Sequence, residues 1–270
     1  MDLLPRVISA VVLILVVLGG LVLGGIALDV LVALAAAVGA FELRGLLRRL
    51  VGLEPQLWLL ITVAVWTSQR AILPGAAGSL EYILSGAIGV GLLVGLVTVT
   101  PFSSWAASLA GGLYLGVGLG SLLGIAHYRA GDARFDLVLI ATVIGSVVAC
   151  DTLAYFTGFA LGRHPFFSRV SPSKTVEGAV GGLCGAIAVS MAIGVAVIGL
   201  DWYWAGAMGA VIGISAQGGD LAESALKRQA DVKDSSNLIP GHGGVLDRLD
   251  SLLLVGPAVL CFLHLIGTPA

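Results

Sequence analysis

The chain has 270 residues, of which 58% are hydrophobic and only 11% are charged, and its mean hydropathy is +1.04. Soluble domains carry about 25% charged residues, so this composition excludes an ordinary soluble protein and indicates an integral membrane protein. The formal net charge of −2 argues against a nucleic-acid partner and leaves any phosphate chemistry to local clusters of charge.

Apolar runs close to the roughly 20 residues that cross a bilayer recur along the whole chain, whereas barrel strands would alternate over about 10 residues. We predict an all-α, polytopic membrane protein with about nine transmembrane helices. The first apolar run is longer than the apolar core of a signal peptide, so we expect it to be retained. The predicted spans are 7–25, 27–41, 57–73, 82–100, 104–126, 136–160, 176–199, 203–226 and 245–267.

The basic residues are distributed unevenly over the predicted loops. If Arg44, Arg48 and Arg49 are cytoplasmic by the positive-inside rule, alternation places 11 of the 14 lysines and arginines on the cytoplasmic side and 3 outside. The N-terminus is then cytoplasmic, and the loops after the sixth and eighth spans share the cytoplasmic face. We expect residues 1–135 to serve as a scaffold and residues 136–270 to carry a functional site on the cytoplasmic face.

Polar residues accompany the sixth and seventh spans. Asp151 lies inside the sixth span, where ionisable groups are costly and usually functional. The loop that follows brings Ser171, Ser173, Lys174 and Thr175 to the start of the seventh span. A helix N-terminus with a lysine is a ready anion site, although the hydroxyl groups could simply cap the helix.

The eighth span ends in a polar stripe. Asp220, Glu223, Ser224 and Lys227 stand at positions i, i+3, i+4 and i+7, so they share one face of a helix. A solvated face with ordinary ion pairs would give the same spacing. At the end of a span, however, such groups must face protein or water.

The segment "PGHGGVLDRLD" precedes and enters the last span. Asp247 and Asp250 stand at i and i+3 there. A carboxylate at a helix N-terminus can merely complement the helix dipole, which explains Asp247 better than Asp250 because the effect fades after the first turn. Carboxylate oxygens are also the ligands that Mg²⁺ prefers, so we predict that Asp220, Asp247 and Asp250 converge from two helices on Mg²⁺. His242 could contact a phosphate or have a structural role.

Four cations, Lys227, Arg228, Lys233 and Arg248, surround these aspartates in the sequence. Magnesium usually binds through one or two carboxylates and substrate phosphate oxygens, and basic side chains neutralise the remaining charge. The mixture predicts a nucleoside triphosphate or an anionic lipid as the ligand.

A single pattern then covers the C-terminal region. Its positions are Ser224, Lys227, Arg228, Lys233, Asp234, Ser236, Ile239, Pro240, His242, Gly243, Gly244, Asp247, Arg248 and Asp250. This pattern resembles the full signature of the phosphatidate cytidylyltransferases, the CDP-diacylglycerol synthases. "SPSKTVEG" is similar to the second motif of that family, and "RVISA", "YLGVGLGSL" and "DTLAYFTG" are similar to its weaker features.

The resemblance implies a Mg²⁺-dependent, homodimeric enzyme of the inner cell membrane that condenses CTP with phosphatidate to CDP-diacylglycerol and pyrophosphate. The lipid phosphate, whose second pKa is about 6, is largely ionised at pH 7 and hardly needs a general base, which favours metal binding by the aspartates. The expected catalytic residues are Asp220, Lys227, Arg228, Asp247, Arg248 and Asp250. The expected substrate-binding residues are Ser171, Ser173, Lys174, Thr175, Ser224, Lys233, His242, Gly243 and Gly244. The expected metal ligands are Asp220, Asp247 and Asp250, with Asp151 and Glu223 as further candidates.

Two alternatives stay open from the sequence. The same chemistry could act on another lipid, as in an ether-lipid cytidylyltransferase or a CTP-using polyprenol kinase. In a transporter or cation channel, Asp151, Asp220, Asp247 and Asp250 would line an ion path. The polar residues concentrate near one membrane face instead of at mid-membrane depth in several spans, which disfavours the transporter.

Overall fold

The computed structural model describes residues 3–52, 54–68, 86, 89–97, 101–129 and 132–267. Within these ranges the regular secondary structure is helical, and the β-structure is limited to two isolated bridges, Pro165 with Thr175 and Ile239 with Gly243. The predicted all-α class is therefore confirmed.

The helices follow the apolar runs of the sequence. They are α1 Leu3–Leu23, α2 Gly25–Val51, α3 Leu57–Ser68, α4 Phe102–Ala126, α5 Ala133–Leu161, α6 Val176–Ile193, α7 Trp202–Gln229 and α8 Leu246–Leu265. Helix α6 continues as a π-helical segment, Gly194–Ile198, and residues 89–97 are also helical.

Six of the described helical segments are long and apolar enough to cross a membrane. They are Arg6–Leu23, Gly25–Leu50, Phe102–Ala126, Ala133–Leu161, Val176–Ile198 and Leu246–Leu265. The polytopic membrane architecture is thus confirmed, whereas the count of nine spans and the orientation that depends on it stay predictions. Of the remaining predicted spans, 57–73 contains a described helix of 12 residues and 82–100 lies partly outside the described residues. The span 203–226 coincides with α7, which has 28 residues.

Helix α2 is longer than the sequence predicts. The predicted second span ended at residue 41, but the helix continues through Arg48 and Arg49 to Val51. The predicted end of this span was too early because arginine, leucine and glutamate are good helix formers, so charge alone does not stop a helix. The helix ends at Gly52, whose left-handed backbone (φ +65°) forms the C-terminal cap.

The chain forms two compact units. The first consists of Met1–Leu123 and Leu226–Leu249, and the second of Gly124–Ala225 and Asp250–Ala270. The division of function predicted for residues 1–135 and 136–270 stays a prediction.

In the first unit, α2 packs against α1 and α3. Its core contains the fully buried side chains of Leu43, Leu46, Leu59 and Leu60. The buried charged residues of the same unit include Glu42 and Asp247, with 3% and 7% of their residue surface exposed. Burial of a charge is costly unless it is hydrogen-bonded, so both carboxylates call for partners.

In the second unit, α5 and α6 pack closely because glycines line their contact. A Cβ atom on Gly178 would lie 2.8 Å from the carbonyl oxygen of Ala154, and one on Gly182 would lie 2.8 Å from that of Cys150. Small residues allow such close backbone approach in membranes, where no hydrophobic drive brings helices together. This contact fixes the two helices that frame the cavity described below.

Candidate active site

The loop between α5 and α6 is held by hydrogen bonds within the second unit. The N–H of Phe166 donates to the carbonyl oxygen of Lys174 over 2.8 Å. At the start of α6, the Glu177 carboxylate accepts from the backbone N–H groups of Arg163 (3.0 Å) and His164 (3.2 Å), and its other oxygen lies 2.6 Å from His164 Nδ1. The loop therefore presents Lys174 from a defined backbone.

The hydroxyl residues of this loop differ in role. Thr175 is the N-cap of α6, since its Oγ1 accepts from the N–H of Gly178 over 3.1 Å, which confirms the capping interpretation for this residue. The carbonyl oxygen of Ser171 accepts from the N–H of Lys174 over 3.2 Å, so Ser171 forms a turn in the loop. Ser173 and Thr175 line the cavity, whereas Ser171 is not among its lining residues.

A cavity of about 490 Å³ lies in the second unit, and three charged residues line it: Asp151, Lys174 and Asp220. Lys174 Nζ donates to Asp220 Oδ2 over 2.6 Å, and the two side chains are 26% and 33% exposed. Asp220 Oδ1 accepts from Ser224 Oγ over 3.2 Å. The structure thus joins the loop motif to the polar stripe of α7, and it adds Asp151, which the sequence gave only as a further metal candidate.

Three aromatic residues that were not predicted form part of the cavity wall. Tyr155, Phe159 and Phe166 line it, and the rings of Tyr155 and Phe159 are stacked at 14° with centroids 6.4 Å apart. Gln217 also lines it and donates from Nε2 to the carbonyl oxygen of Ala179 over 3.0 Å. Charged groups beside an aromatic wall suit a ligand with both an anionic and an apolar part.

The charges of the cavity fit a divalent cation. Two carboxylates, Asp151 and Asp220, face one lysine, so the lining is formally negative and would repel a polyphosphate by itself. Mg²⁺ commonly takes one or two carboxylates and completes its shell with phosphate oxygens and water. Within the described part of the chain, no three His, Cys, Asp or Glu side chains form a group that could hold a metal ion, so substrate oxygens would supply the other ligands.

A buried ion pair lies in the first unit. Lys227 Nζ donates to Asp247 Oδ1 over 2.6 Å, with only 11% and 4% of the side chains exposed. Asp247 Oδ2 accepts from the N–H of Gly244 (2.8 Å) and from both the N–H (2.9 Å) and the hydroxyl (2.8 Å) of Ser235. Protein donors therefore occupy both oxygens of Asp247, and its predicted role as a metal ligand stays a prediction.

The glycines of the C-terminal signature make room for carboxylates. Gly243 has a φ of +80°, and a Cβ atom there would lie 2.6 Å from Asp247 Oδ2. A Cβ atom on Gly244 would lie 2.6 Å from both oxygens of Glu42. Neither position tolerates a side chain without a shift of the loop, so the two glycines have structural roles in this unit.

His242 also has structural contacts. Its Nδ1 lies 2.9 Å from Ser9 Oγ, and Ser9 Oγ donates to the carbonyl oxygen of Pro240 over 2.9 Å. Ser9 belongs to "RVISA", so the structure connects this N-terminal run with the signature. Of the two roles considered for His242, these contacts match the structural one.

The other predicted site residues lie outside the cavity lining. Arg228, Lys233 and Arg248 are exposed in the first unit, and Arg228 donates to the carbonyl oxygen of Val232 over 3.2 Å. In the second unit, Glu223 is buried, and Asp250 accepts from the N–H of Ser251 over 2.6 Å. Their predicted roles stay predictions.

Comparison with known proteins decides the family. The model of the cytidylyltransferase family matches residues 4–266. This chain belongs to the cytidylyltransferase family. The match covers nearly the whole chain, so the resemblance seen in the signature is confirmed and the protein is a nucleotidyltransferase.

Several phosphatidate cytidylyltransferases are similar to this family member. That of Brucella abortus is 35% identical over 211 residues, which cover 78% of this chain and 71% of the relative. That of Bacillus subtilis is 39% identical over 133 residues, 49% of each chain. The chloroplastic phosphatidate cytidylyltransferase 5 of Arabidopsis thaliana is 40% identical over 143 residues, 51% of this chain and 35% of the relative.

Proposed function

We propose that this protein is a phosphatidate cytidylyltransferase, which converts CTP and phosphatidate to CDP-diacylglycerol and pyrophosphate. The structural observation that carries the proposal is the cavity in which the Lys174–Asp220 pair lies beside an aromatic wall. Both substrates are anionic, and one of them is a lipid, so the cavity has the two chemical characters that the reaction needs. The names of the relatives described above support the same substrates.

In the proposed reaction, a phosphate oxygen of phosphatidate attacks the α-phosphorus of CTP. The new phosphorus–oxygen bond forms as the bond from the α-phosphorus to the bridging oxygen breaks, and that oxygen leaves with pyrophosphate. The attacking phosphate is already largely ionised at pH 7, so no side chain has to remove a proton. Two unit charges 4 Å apart repel by about 4 kcal/mol at an effective dielectric of 20. The protein's task is therefore positioning and charge compensation.

The cavity residues suit this task. Lys174 would exchange the Asp220 carboxylate for a substrate phosphate oxygen, and the hydroxyl groups of Ser173 and Thr175 would donate to the same phosphates. Asp151 and Asp220 would hold Mg²⁺, which supplies positive charge to the phosphates when it is bound. We retain Arg228, Lys233 and Arg248 as proposed phosphate contacts, and Asp247 and Asp250 as proposed further metal ligands.

The proposed location of the active site is the cytoplasmic face of the cell membrane. The bias of lysine and arginine over the loops supports this orientation. Asp151, Tyr155 and Phe159 line the cavity from α5, which is long and apolar enough to span the membrane, so a bilayer lipid could reach the cavity directly. The proposed homodimer rests on the resemblance alone.

The test is pyrophosphate release by the purified full-length protein in mixed micelles, with CTP, phosphatidate and Mg²⁺ supplied together and each omitted in turn. We expect release only with all three, together with an accumulating CDP-lipid. Asp220→Asn should sharply reduce release at a fixed Mg²⁺ concentration, whereas Asp231→Asn should not, since Asp231 is exposed and has a left-handed backbone (φ +55°) that asparagine tolerates. Pyrophosphate release that continues without phosphatidate, or formation of a phosphorylated lipid together with CDP, would contradict the proposal.

A further inference from the structure

Glu42 lies in α2, within a segment able to span the membrane, and only 3% of its surface is exposed. Its carboxylate accepts four hydrogen bonds within the first unit. Oε1 accepts from Ser236 Oγ (2.6 Å) and the N–H of Val245 (3.0 Å). Oε2 accepts from the N–H of Leu246 (2.7 Å) and, over a longer 3.3 Å, from Ser235 Oγ, whose single proton it shares with Asp247 Oδ2. Burial of an ionisable group is costly unless it is hydrogen-bonded, so the large number of donors around this carboxylate indicates a specific role.

All four donors belong to one segment, residues 235–246, which we call the signature loop. Two of the donors are the N–H groups of Val245 and Leu246 at the start of α8. The first N–H groups of a helix have no partner within the helix, and a carboxylate there also complements the helix dipole. Glu42 thus caps α8 from another helix, about 200 residues earlier in the sequence.

A second carboxylate, directly after the loop in the sequence, holds the same segment. Asp247 accepts from Ser235 and Gly244 and pairs with Lys227. Gly244 lies against both Glu42 oxygens, where a Cβ atom would not fit. The signature loop is therefore fastened by two buried carboxylates, and only one of them belongs to the C-terminal signature.

We propose that Glu42 is a positioning residue that holds the signature loop in the conformation needed for turnover, an inference that rests on the proposed function. The loop is flanked by Lys233, Asp247 and Arg248, which we have proposed as contacts of the phosphates or the metal. Displacement of catalytic groups by about 1 Å can cost about 100-fold in rate. The side chain itself need not touch substrate.

The informative variant is Glu42→Gln, which keeps the size of the side chain. A glutamine has one acceptor oxygen, and its NH₂ group would face two of the four donors. We expect kcat to fall by about 100-fold, with a much smaller change in the KM for CTP. Glu54→Gln is the matched control, because Glu54 is 55% exposed and its partners, Arg44 and Arg48, are surface cations. It should behave like the wild type.

Hydrogen exchange of the full-length protein in micelles, measured by mass spectrometry, tests the positioning directly. For Glu42→Gln we expect faster exchange in residues 235–247, with α5 and α6 unchanged. Ser236→Ala removes one of the donors to Glu42 and the acceptor of the Leu238 N–H, and it should give a smaller increase in the same segment. Because Ser236 Oγ donates directly to the Glu42 carboxylate, the two changes are coupled and the effects of the double variant should be less than additive.

Two results would overturn the proposal: exchange that rises equally in every helix, or no change in residues 235–247. The first would mean that Glu42 only supports the overall fold, and the second that the loop does not depend on it. The hydrogen-exchange measurement does not require the protein to be catalytically active. If the wild type makes no CDP-lipid, the proposed function fails, while the exchange result still decides whether Glu42 holds the loop.

Discussion

Replacement of Lys227 by methionine should destabilise the protein strongly. Methionine keeps most of the side-chain volume but removes the ammonium group that lies 2.6 Å from Asp247 Oδ1. Because the two side chains are only 11% and 4% exposed, water cannot replace the lost partner. Loss of one member of a buried ion pair costs about 3–5 kcal/mol. At about 2–4 °C per kcal/mol for a chain of this size, the melting temperature should fall by about 6–20 °C.

The assay is thermal unfolding in one detergent, followed by fluorescence of the five tryptophans. Lys233→Met is the matched control, because Lys233 is exposed in the same unit and surface substitutions usually change stability by no more than about 0.5 kcal/mol. A melting temperature of Lys227→Met within about 2 °C of the control would refute the reasoning, since it would show that no uncompensated charge remains at Asp247.

Three further predictions concern the second unit. Asp151→Asn and Asp220→Asn should each weaken Mg²⁺ in activating turnover, seen as a higher Mg²⁺ concentration at half-maximal rate; an unchanged Mg²⁺ dependence in both would contradict the proposed metal site. Gly182→Ala should destabilise the protein by about 1–3 kcal/mol in thermal unfolding, because its Cβ would lie 2.8 Å from the Cys150 carbonyl oxygen, whereas Gly218→Ala, with no atom within 4 Å of its Cβ, should not. Thr175→Ala should lower the free energy of unfolding by about 1 kcal/mol through loss of the α6 cap, and Thr175→Ser should keep the wild-type stability. Equal melting temperatures of Thr175→Ala and the wild type would show that the cap is dispensable.

Much of the fold follows from hydropathy, because a membrane-spanning helix must satisfy its own backbone and therefore appears as an apolar run of fixed length. The starts and ends of α5, and of α6 together with its π-helical continuation, were predicted within a few residues for this reason. The end of α2 was not, since Arg48 and Arg49 resemble a loop in hydropathy but are favourable in a helix. Only the backbone of Gly52 marks where this helix stops.

The sequence predicted individual residues of the candidate site better than it predicted the contacts between them. Spacing placed Asp220 and Ser224 on one face of a helix, and their hydrogen bond is present. The pairing of Lys174 with Asp220 joins residues 46 positions apart, and no periodicity reports such a contact. Gln217 could have been predicted as a site residue, because a polar side chain within an apolar helix is conspicuous in the sequence. The sequence does not reveal the role of Glu42, because the arginines that follow it make it look like an ordinary residue of a charged helix end.

The fate of each phosphate of CTP is the most direct test of a cytidylyltransferase. Purified protein is supplied with phosphatidate, Mg²⁺ and CTP that carries a radioactive label at either the α- or the γ-phosphorus, and the label in the extracted lipid is counted. We predict that the α-label enters the lipid as CDP-diacylglycerol and that the γ-label remains in water as pyrophosphate. Transfer of the γ-label to the lipid would reveal a kinase, and an unlabelled lipid with both nucleotides would contradict the proposed reaction.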